Sequence, residues 1–177
     1  MYLSKKTYVK NWNHNGPEGQ YKFTVKLGGK KHPHIKPNRI AYITEEVGYW
    51  RKANHIHSWF VHECQGGIDE CQETWVSPEK LLELRGICQT IVEYFDKSVT
   101  GTRQVKAMIG EDWVENTYDI DENELADLLP TASGFFFGGT EYDHWYYQDT
   151  KNTVKIIDEA LKDVEPYGAE FSYQASW

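Results

Sequence analysis

The sequence predicts an α+β fold in which a small antiparallel sheet packs against three or four helices. Strand-like alternation at Tyr21–Leu27 and longer segments with apolar residues every three or four positions support this prediction. The chain has 177 residues, 40% of them hydrophobic, and no linker-like segment interrupts it. We therefore expect one globular domain over residues 1–177.

The strand prediction depends on Tyr21–Leu27, where large apolar residues alternate with Lys and Thr as in a half-buried strand. Gly28 and Gly29 follow as a turn, so the segment is expected to be the first arm of a hairpin. Pro33 and Pro37 interrupt the second arm and would confine it to a sheet edge.

Two helices are predicted from their caps and apolar stripes. The first begins after Thr44, with the stripe Val47, Trp50, Asn54, His57 and Val61. The second begins at Ser77 and Pro78, with the stripe Leu81, Leu84, Cys88, Ile91 and Phe95. We expect Trp50, His57, Leu84, Cys88 and Ile91 to be buried together between these two helices, with the Tyr21–Leu27 strand in a sheet beside them.

Two later helices have similar signals. Asp121 with Glu124 predicts a short helix that ends before Pro130. Thr140 with Asp143 predicts the cap of the last helix. Its inward stripe would contain Tyr146, Asp149, Thr153, Ile156 or Ile157, and Leu161.

The sequence leaves the secondary structure of two segments undecided. Residues 101–120 fit either a second hairpin or an irregular insert, because polar and apolar residues alternate only loosely there. The apolar run Phe135–Phe137 is bracketed by glycines and fits a buried strand or a packed loop.

The formal charge of −8 makes direct nucleic-acid binding an unfavoured function, because an acidic surface repels phosphate. Residues 1–6 lack the apolar core of a signal peptide, and no segment is apolar enough to span a membrane. We therefore expect the protein to be located in the cytoplasm. Three cysteines in such a setting favour free thiols or metal ligands over a disulfide framework.

One set of side chains suggests a structural zinc site. His57 and Cys64 are seven residues apart and would share a helix face, with Cys71 in the connection and Cys88 on the next helix. If the two helices pair, these four residues could form a tetrahedral Cys₃His site. The alternative is that the cysteines are small buried hydrophobes and His57 is a hydrogen-bonded core residue.

Catalytic signals are weaker. The acidic residues that a metal-dependent hydrolase could recruit also fit helix caps and solvated faces; they are Asp119, Asp121, Glu122, Asp143 and Asp149. Cys64 near His62 could form a nucleophile and base. The chain contains no P-loop, GxGxxG or GxSxG motif, so nucleotide-dependent and serine-hydrolase functions have no motif to support them.

An acidic set could instead meet the basic groove of a partner protein. Its members are Glu63, Asp69, Glu70, Glu73, Asp119, Asp121 and Glu122. The alternative is that these acids form a solvated face that serves solubility. Large aromatic residues left exposed among the acids would provide the anchors of such an interface.

The stretch Tyr49–Val61, the stretch Leu129–Gly138 and the segment Thr140–Asp143 together resemble a family of small acidic proteins encoded by phages and prophages. The resemblance covers most of the chain outside residues 100–118. It implies a phage origin and no particular reaction, since the family has no assigned activity. His57 and Cys71 match family positions, whereas Cys64 and His62 depart from them.

A phage accessory protein without a catalytic motif is expected to act by binding, most specifically as an anti-CRISPR or anti-restriction inhibitor of a host effector such as Cas9. The alternatives are a metal-dependent enzyme acting on nucleic acid or nucleotide, and a structural or regulatory adaptor. An enzyme would have a cleft that holds His57 and carboxylates. An inhibitor would have a broad acidic surface and buried cysteines.

Overall fold

The structure, a computed structural model, describes residues 1–9, 24–107, 112–134, 138–162 and 169–176, and it confirms the α+β fold. The described helices are α1 (Asn54–Cys64), α2 (Pro78–Lys97), α3 (Glu122–Leu128) and α4 (His144–Leu161). The described strands are β1 (Tyr2–Tyr8), β2 (Lys26–Leu27), β3 (Lys30–Lys31), β4 (Tyr42–Tyr49), β5 (Thr74–Val76), β6 (Val99–Val105), β7 (Trp113–Tyr118) and β8 (Ala169–Gln174). Among the described residues no helix is long and apolar enough to cross a membrane.

The main sheet has four antiparallel strands in the order β4-β1-β8-β5. Leu3 of β1 pairs with Gly48 of β4 on one side and with Tyr173 of β8 on the other. The register between β1 and β4 shifts between Leu3 and Ser4, where β4 has a bulge. Leu3, Phe171, Tyr173 and Val76 are buried, so the face on which they lie packs against the helices. The opposite face of this sheet is called the outer face below.

The predicted second helix is confirmed as α2. The Ser77 hydroxyl accepts a hydrogen bond from the Lys80 N–H at its start, and Pro78 occupies the first helical position. All five residues of the predicted stripe are fully buried. Burial of each such side chain contributes about 1.5–3 kcal/mol, so this stripe stabilises the core strongly.

The predicted first helix is wrong over its first half. Residues 42–49 form strand β4, and the helix begins only at Asn54. The main-chain groups of β4 pair with β1, a distant segment that local periodicity does not reveal. Trp50 shares the buried core with the α2 stripe as predicted, and His57 is buried as well. However, α2 packs mainly against α4 rather than α1.

The predicted hairpin at Gly28 and Gly29 is confirmed in part. β2 and β3 pair across these glycines, whose φ angles are +57° and +78°. They form a separate two-stranded sheet, and Leu27 is 71% exposed, so the prediction of a half-buried strand beside the helices is wrong for this residue. Tyr21–Phe23 lie outside the described residues.

The second hairpin is present as the pair β6 and β7, with residues 108–111 outside the described part of the chain. α3 begins as predicted, with the Asp121 carboxylate accepting the Asn123 N–H. α4 is capped by Asp143, whose carboxylate accepts the N–H groups of Trp145 and Tyr146. Thr140 is therefore not the cap. Phe135–Phe137 lie outside the described residues.

Candidate functional site

The outer face of the main sheet is rich in aromatic side chains. Because side chains alternate along a strand, β1, β4 and β5 direct Tyr2, Tyr8, Tyr42, Tyr49 and Trp75 to this face. Tyr42 and Tyr49 are each 49% exposed and Trp75 is 63% exposed, so no described segment covers them. Tyrosine and tryptophan are enriched in protein-binding surfaces, which makes this face a candidate interface.

Four of the seven predicted partner-binding acids lie near the β5 edge of the main sheet, but most of them already have partners. Glu63 pairs with Lys80 at 2.6 Å, Asp69 bonds His57, and Glu73 accepts the Ser172 hydroxyl at 2.6 Å. Glu70 is exposed. Ile68, 57% exposed, and Trp75 provide apolar surface beside these acids.

The other three predicted partner-binding acids, Asp119, Asp121 and Glu122, lie at the far end of α2. The Asp121 N–H donates to the Tyr94 hydroxyl, whereas Glu63 meets Lys80. Helical rise places these two contacts roughly 20 Å apart. The predicted acidic set is thus two groups, not one continuous surface.

The predicted zinc ligand His57 is hydrogen bonded through both ring nitrogens. Nδ1 lies 2.7 Å from the Tyr173 hydroxyl and Nε2 lies 2.9 Å from an Asp69 carboxylate oxygen. The carboxylate accepts the Nε2 proton, which leaves Nδ1 to accept from Tyr173 when the ring is neutral. His57 therefore ties the loop after α1 to the core.

The three cysteines differ in setting. Cys88 is fully buried on α2, and Cys64 is half-buried at the end of α1. Burial raises the pKa of Cys64 to about 11 and that of Cys88 to about 12, so both thiols are protonated at neutral pH and are poor nucleophiles. Cys71 is half-buried in the loop, with φ +58°, and its carbonyl accepts the Gln174 side-chain amide.

Within the part of the chain that the structure describes, no group of three or more His, Cys, Asp or Glu side chains is placed to hold a metal ion. The arrangement of His57, Cys64, Cys71 and Cys88 adds no support to the zinc site. Zinc therefore stays a prediction from the sequence.

A cleft of about 360 Å³, lined mostly by charged and polar residues, lies between the start of α1 and the start of α4. Asn54 fixes one wall: its side-chain oxygen accepts the Ala132 N–H at 2.9 Å, and its amide donates to the Gly139 carbonyl at 2.7 Å. Gly138 donates to the Lys52 carbonyl at 3.1 Å. A Cβ on Gly138 would lie 2.8 Å from that carbonyl oxygen, so only glycine fits this close approach.

The cleft contains side chains of both charges. Arg51 and Lys52 line one part, and Glu141, Asp143 and Asp149 line another. Burial, followed by repulsion from Asp143, raises the pKa of Asp149 to about 6. Asp149 lies on the predicted inward stripe of α4, and a carboxylate on such a stripe was the sequence signal for this site.

His55 forms the inner end of the cleft and is buried. Its ring lies 4.3 Å from the Tyr146 ring, and its Nε2 lies 3.5 Å from the Thr150 hydroxyl oxygen. Burial lowers the pKa of His55 to about 3, so the ring is neutral at physiological pH. The cleft expected of an enzyme thus holds carboxylates with His55, and His57 lies outside it.

Sequence reasoning missed Arg51, Lys52, Gly138 and Trp145 as cleft residues. Arg51 and Lys52 lie in the stretch Tyr49–Val61, Gly138 ends the stretch Leu129–Gly138, and Trp145 follows the segment Thr140–Asp143. Only the fold brings these segments together. Comparison with protein-family models, with curated proteins and with solved structures finds no match for this chain.

Proposed function

We propose that this protein acts by binding another protein, and that its partner is a nucleic-acid-binding effector of bacterial defence, such as Cas9 or a restriction enzyme. The protein would be phage-encoded and would work in the cytoplasm of the host cell. The observation that carries this proposal is the exposed aromatic outer face, with Trp75 at its edge. The loop between α1 and β5, which contains Asp69, Glu70 and Glu73, lies beside Trp75.

Trp75 has the chemistry of an interface anchor. It is 63% exposed at the edge strand β5, next to Ser172 in the register. An exposed indole gains from burial against a partner and still offers its N–H for a hydrogen bond. Alanine substitution of such an anchor commonly costs 2 kcal/mol or more, roughly thirtyfold in affinity.

The charge of the protein fits a basic partner. The net charge is −8, and Glu70 and Glu73 are exposed near Trp75. Effectors that bind nucleic acid carry basic grooves, and complementary potential speeds encounter with such a groove. The interaction should therefore weaken as salt concentration rises.

The test is a Cas9 cleavage assay and a restriction assay, each with a large excess of the protein, together with a pull-down from host lysate. We expect inhibition in one assay, a tenfold or greater loss of potency for Trp75→Ala, and a smaller loss for Glu70→Lys. Matched controls are Leu82→Ala, an exposed apolar residue of α2, and Asp127→Lys, an exposed acid of α3 outside the predicted set.

Full cleavage in both assays, with neither effector recovered in the pull-down, would remove the support for inhibition. Equal loss of potency in Trp75→Ala and Leu82→Ala would show that the outer face is not the interface. The metal-dependent enzyme remains the alternative proposal, since the cleft at His55 combines carboxylates with cationic side chains.

A further inference from the structure

The cleft lies apart from Trp75, the anchor of the proposed interface. It adjoins the end of β4, one edge strand of the main sheet, whereas Trp75 lies on β5, the opposite edge strand. A ligand in the cleft would therefore leave Trp75 free. Binding at the two places can be tested separately.

Opposite charges line the cleft without neutralising each other. Among the described residues, no ion pair within 4.0 Å joins Arg51 or Lys52 to Glu141, Asp143 or Asp149. Neighbouring charges of opposite sign attract, so a cleft that keeps them apart has room for a ligand that contacts both groups. Such a ligand needs an anionic group and hydrogen-bond donors.

We propose that the cleft binds a nucleoside monophosphate, with guanosine monophosphate as the favoured ligand. Arg51 and Lys52 would hold the phosphate, because both side chains donate charge-assisted hydrogen bonds to phosphate oxygens. Trp145 is 55% exposed and lines the cleft, so its indole offers a stacking surface for a base.

Asp149 is the group that would distinguish one base from another. Its side chain is half-buried and, in the described part of the chain, no donor reaches its carboxylate oxygens. An ionised carboxylate accepts through two oxygens and donates nothing. Guanine presents two N–H donors side by side on its pairing edge, whereas adenine presents a donor beside an acceptor, so guanine satisfies the carboxylate better.

The remaining acids limit the charge of the ligand. Glu141 and Asp143 line the same cleft and repel anionic groups beyond the first phosphate. The volume of about 360 Å³ is at the lower end of small-molecule sites, which suits one nucleotide and excludes a strand of nucleic acid. A monophosphate therefore fits the two cationic side chains and the size of the cleft.

The test is calorimetric titration of guanosine monophosphate into the full chain at pH 7.5 without divalent cations. We expect one site, with affinity at least tenfold weaker in Asp149→Asn and in Lys52→Gln. Asp127→Asn and Lys155→Gln are exposed substitutions outside the cleft, and they should bind within twofold of the parent chain. Thermal melting of each sample checks that the variants are folded.

Three further ligands sharpen the result. Guanosine, adenosine monophosphate and guanosine triphosphate should each bind at least fivefold more weakly than guanosine monophosphate. No binding at millimolar guanosine monophosphate, or equal affinity of the parent chain and both cleft variants, would overturn the proposal. Neither result bears on recovery of a protein partner through Trp75, so the two proposals fail independently.

Discussion

Two buried histidines, two residues apart on α1, belong to opposite kinds of polar arrangement. His57 has a hydrogen-bond partner at each ring nitrogen, and the carboxylate of Asp69 is one of them. His55 borders a cleft whose half-buried carboxylate, Asp149, is reached by no donor among the described residues. A satisfied buried network stabilises a fold, whereas an unsatisfied carboxylate costs stability and indicates a site for a ligand.

The largest effect on stability is expected from loss of the hydrogen-bond network of His57. His57→Leu removes the partner of Asp69 and of the fully buried Tyr173 hydroxyl, so we expect a loss of about 2–4 kcal/mol in the free energy of unfolding. Urea denaturation measures it. His62→Leu, on the exposed side of the same helix, should change stability by less than about 0.5 kcal/mol. A similar small change in both variants would show that the His57 network is not stabilising.

Asp149→Asn should have the opposite sign. The folded pKa of Asp149, about 6, lies above the unfolded value of 3.8, so the native state holds the extra proton and wild-type stability falls as pH rises from about 4 to about 6. At pH 8 the variant should be more stable by about 1–3 kcal/mol, after allowance for partial exposure.

The pH dependence provides the control for Asp149→Asn. The gain should vanish below about pH 4, where the carboxyl of the parent chain is neutral. Neighbouring charges at Arg51, Lys52, Glu141 and Asp143 are common to both chains, and His55 stays neutral over this range. A gain of the same size at pH 3.5 and pH 8 would contradict a cost that arises from the charge.

Two glycine substitutions compare the cleft wall with an open helix surface. Gly138→Ala should destabilise the fold by about 1–2 kcal/mol, because its Cβ would meet the Lys52 carbonyl oxygen. Gly86→Ala on α2 meets nothing and should stabilise the helix by about 0.5–1 kcal/mol. Thermal melting gives both signs, and a stabilising Gly138→Ala would show that the wall moves freely.

The smallest expected effects concern the thiols. With free thiols, a thiol reagent should modify Cys71 first, Cys64 slowly and Cys88 only on unfolding, because burial raises the pKa of the last two. The zinc prediction instead requires about one equivalent of metal, protection of all three thiols and a sharp loss of thermal stability on replacing Cys71. Elemental analysis and timed thiol labelling of one native sample distinguish the two.

The elements with local signals were predictable from sequence. α2 has its cap, its Pro78 and five stripe residues within twenty positions, and all of these act through near neighbours. Strand β4 was mistaken for a helix because Thr44 followed by two glutamates looks like a helix start. Its true partner is β1, about forty residues away in the chain, and pairing at that distance has no local signal.

The candidate sites were predictable only in pieces. Asp149 was on the predicted stripe, and exposed aromatic anchors were expected, but their positions depend on the fold. Lys52 meets the Gly138 wall only when the β4–α1 turn and the segment before α4 come together. The His57 network likewise needs Asp69 and Tyr173, the latter more than a hundred residues away.

The position of β8 has a consequence for synthesis on the ribosome. β5 pairs only with β8 in the described sheet, and β8 begins at Ala169, so Thr74–Val76 is made about ninety residues before its partner. At typical translation rates that interval is roughly 5–20 s. During it the nascent chain presents an unpaired strand with an exposed tryptophan, which is a substrate for chaperones and a hazard for association between ribosomes on one message.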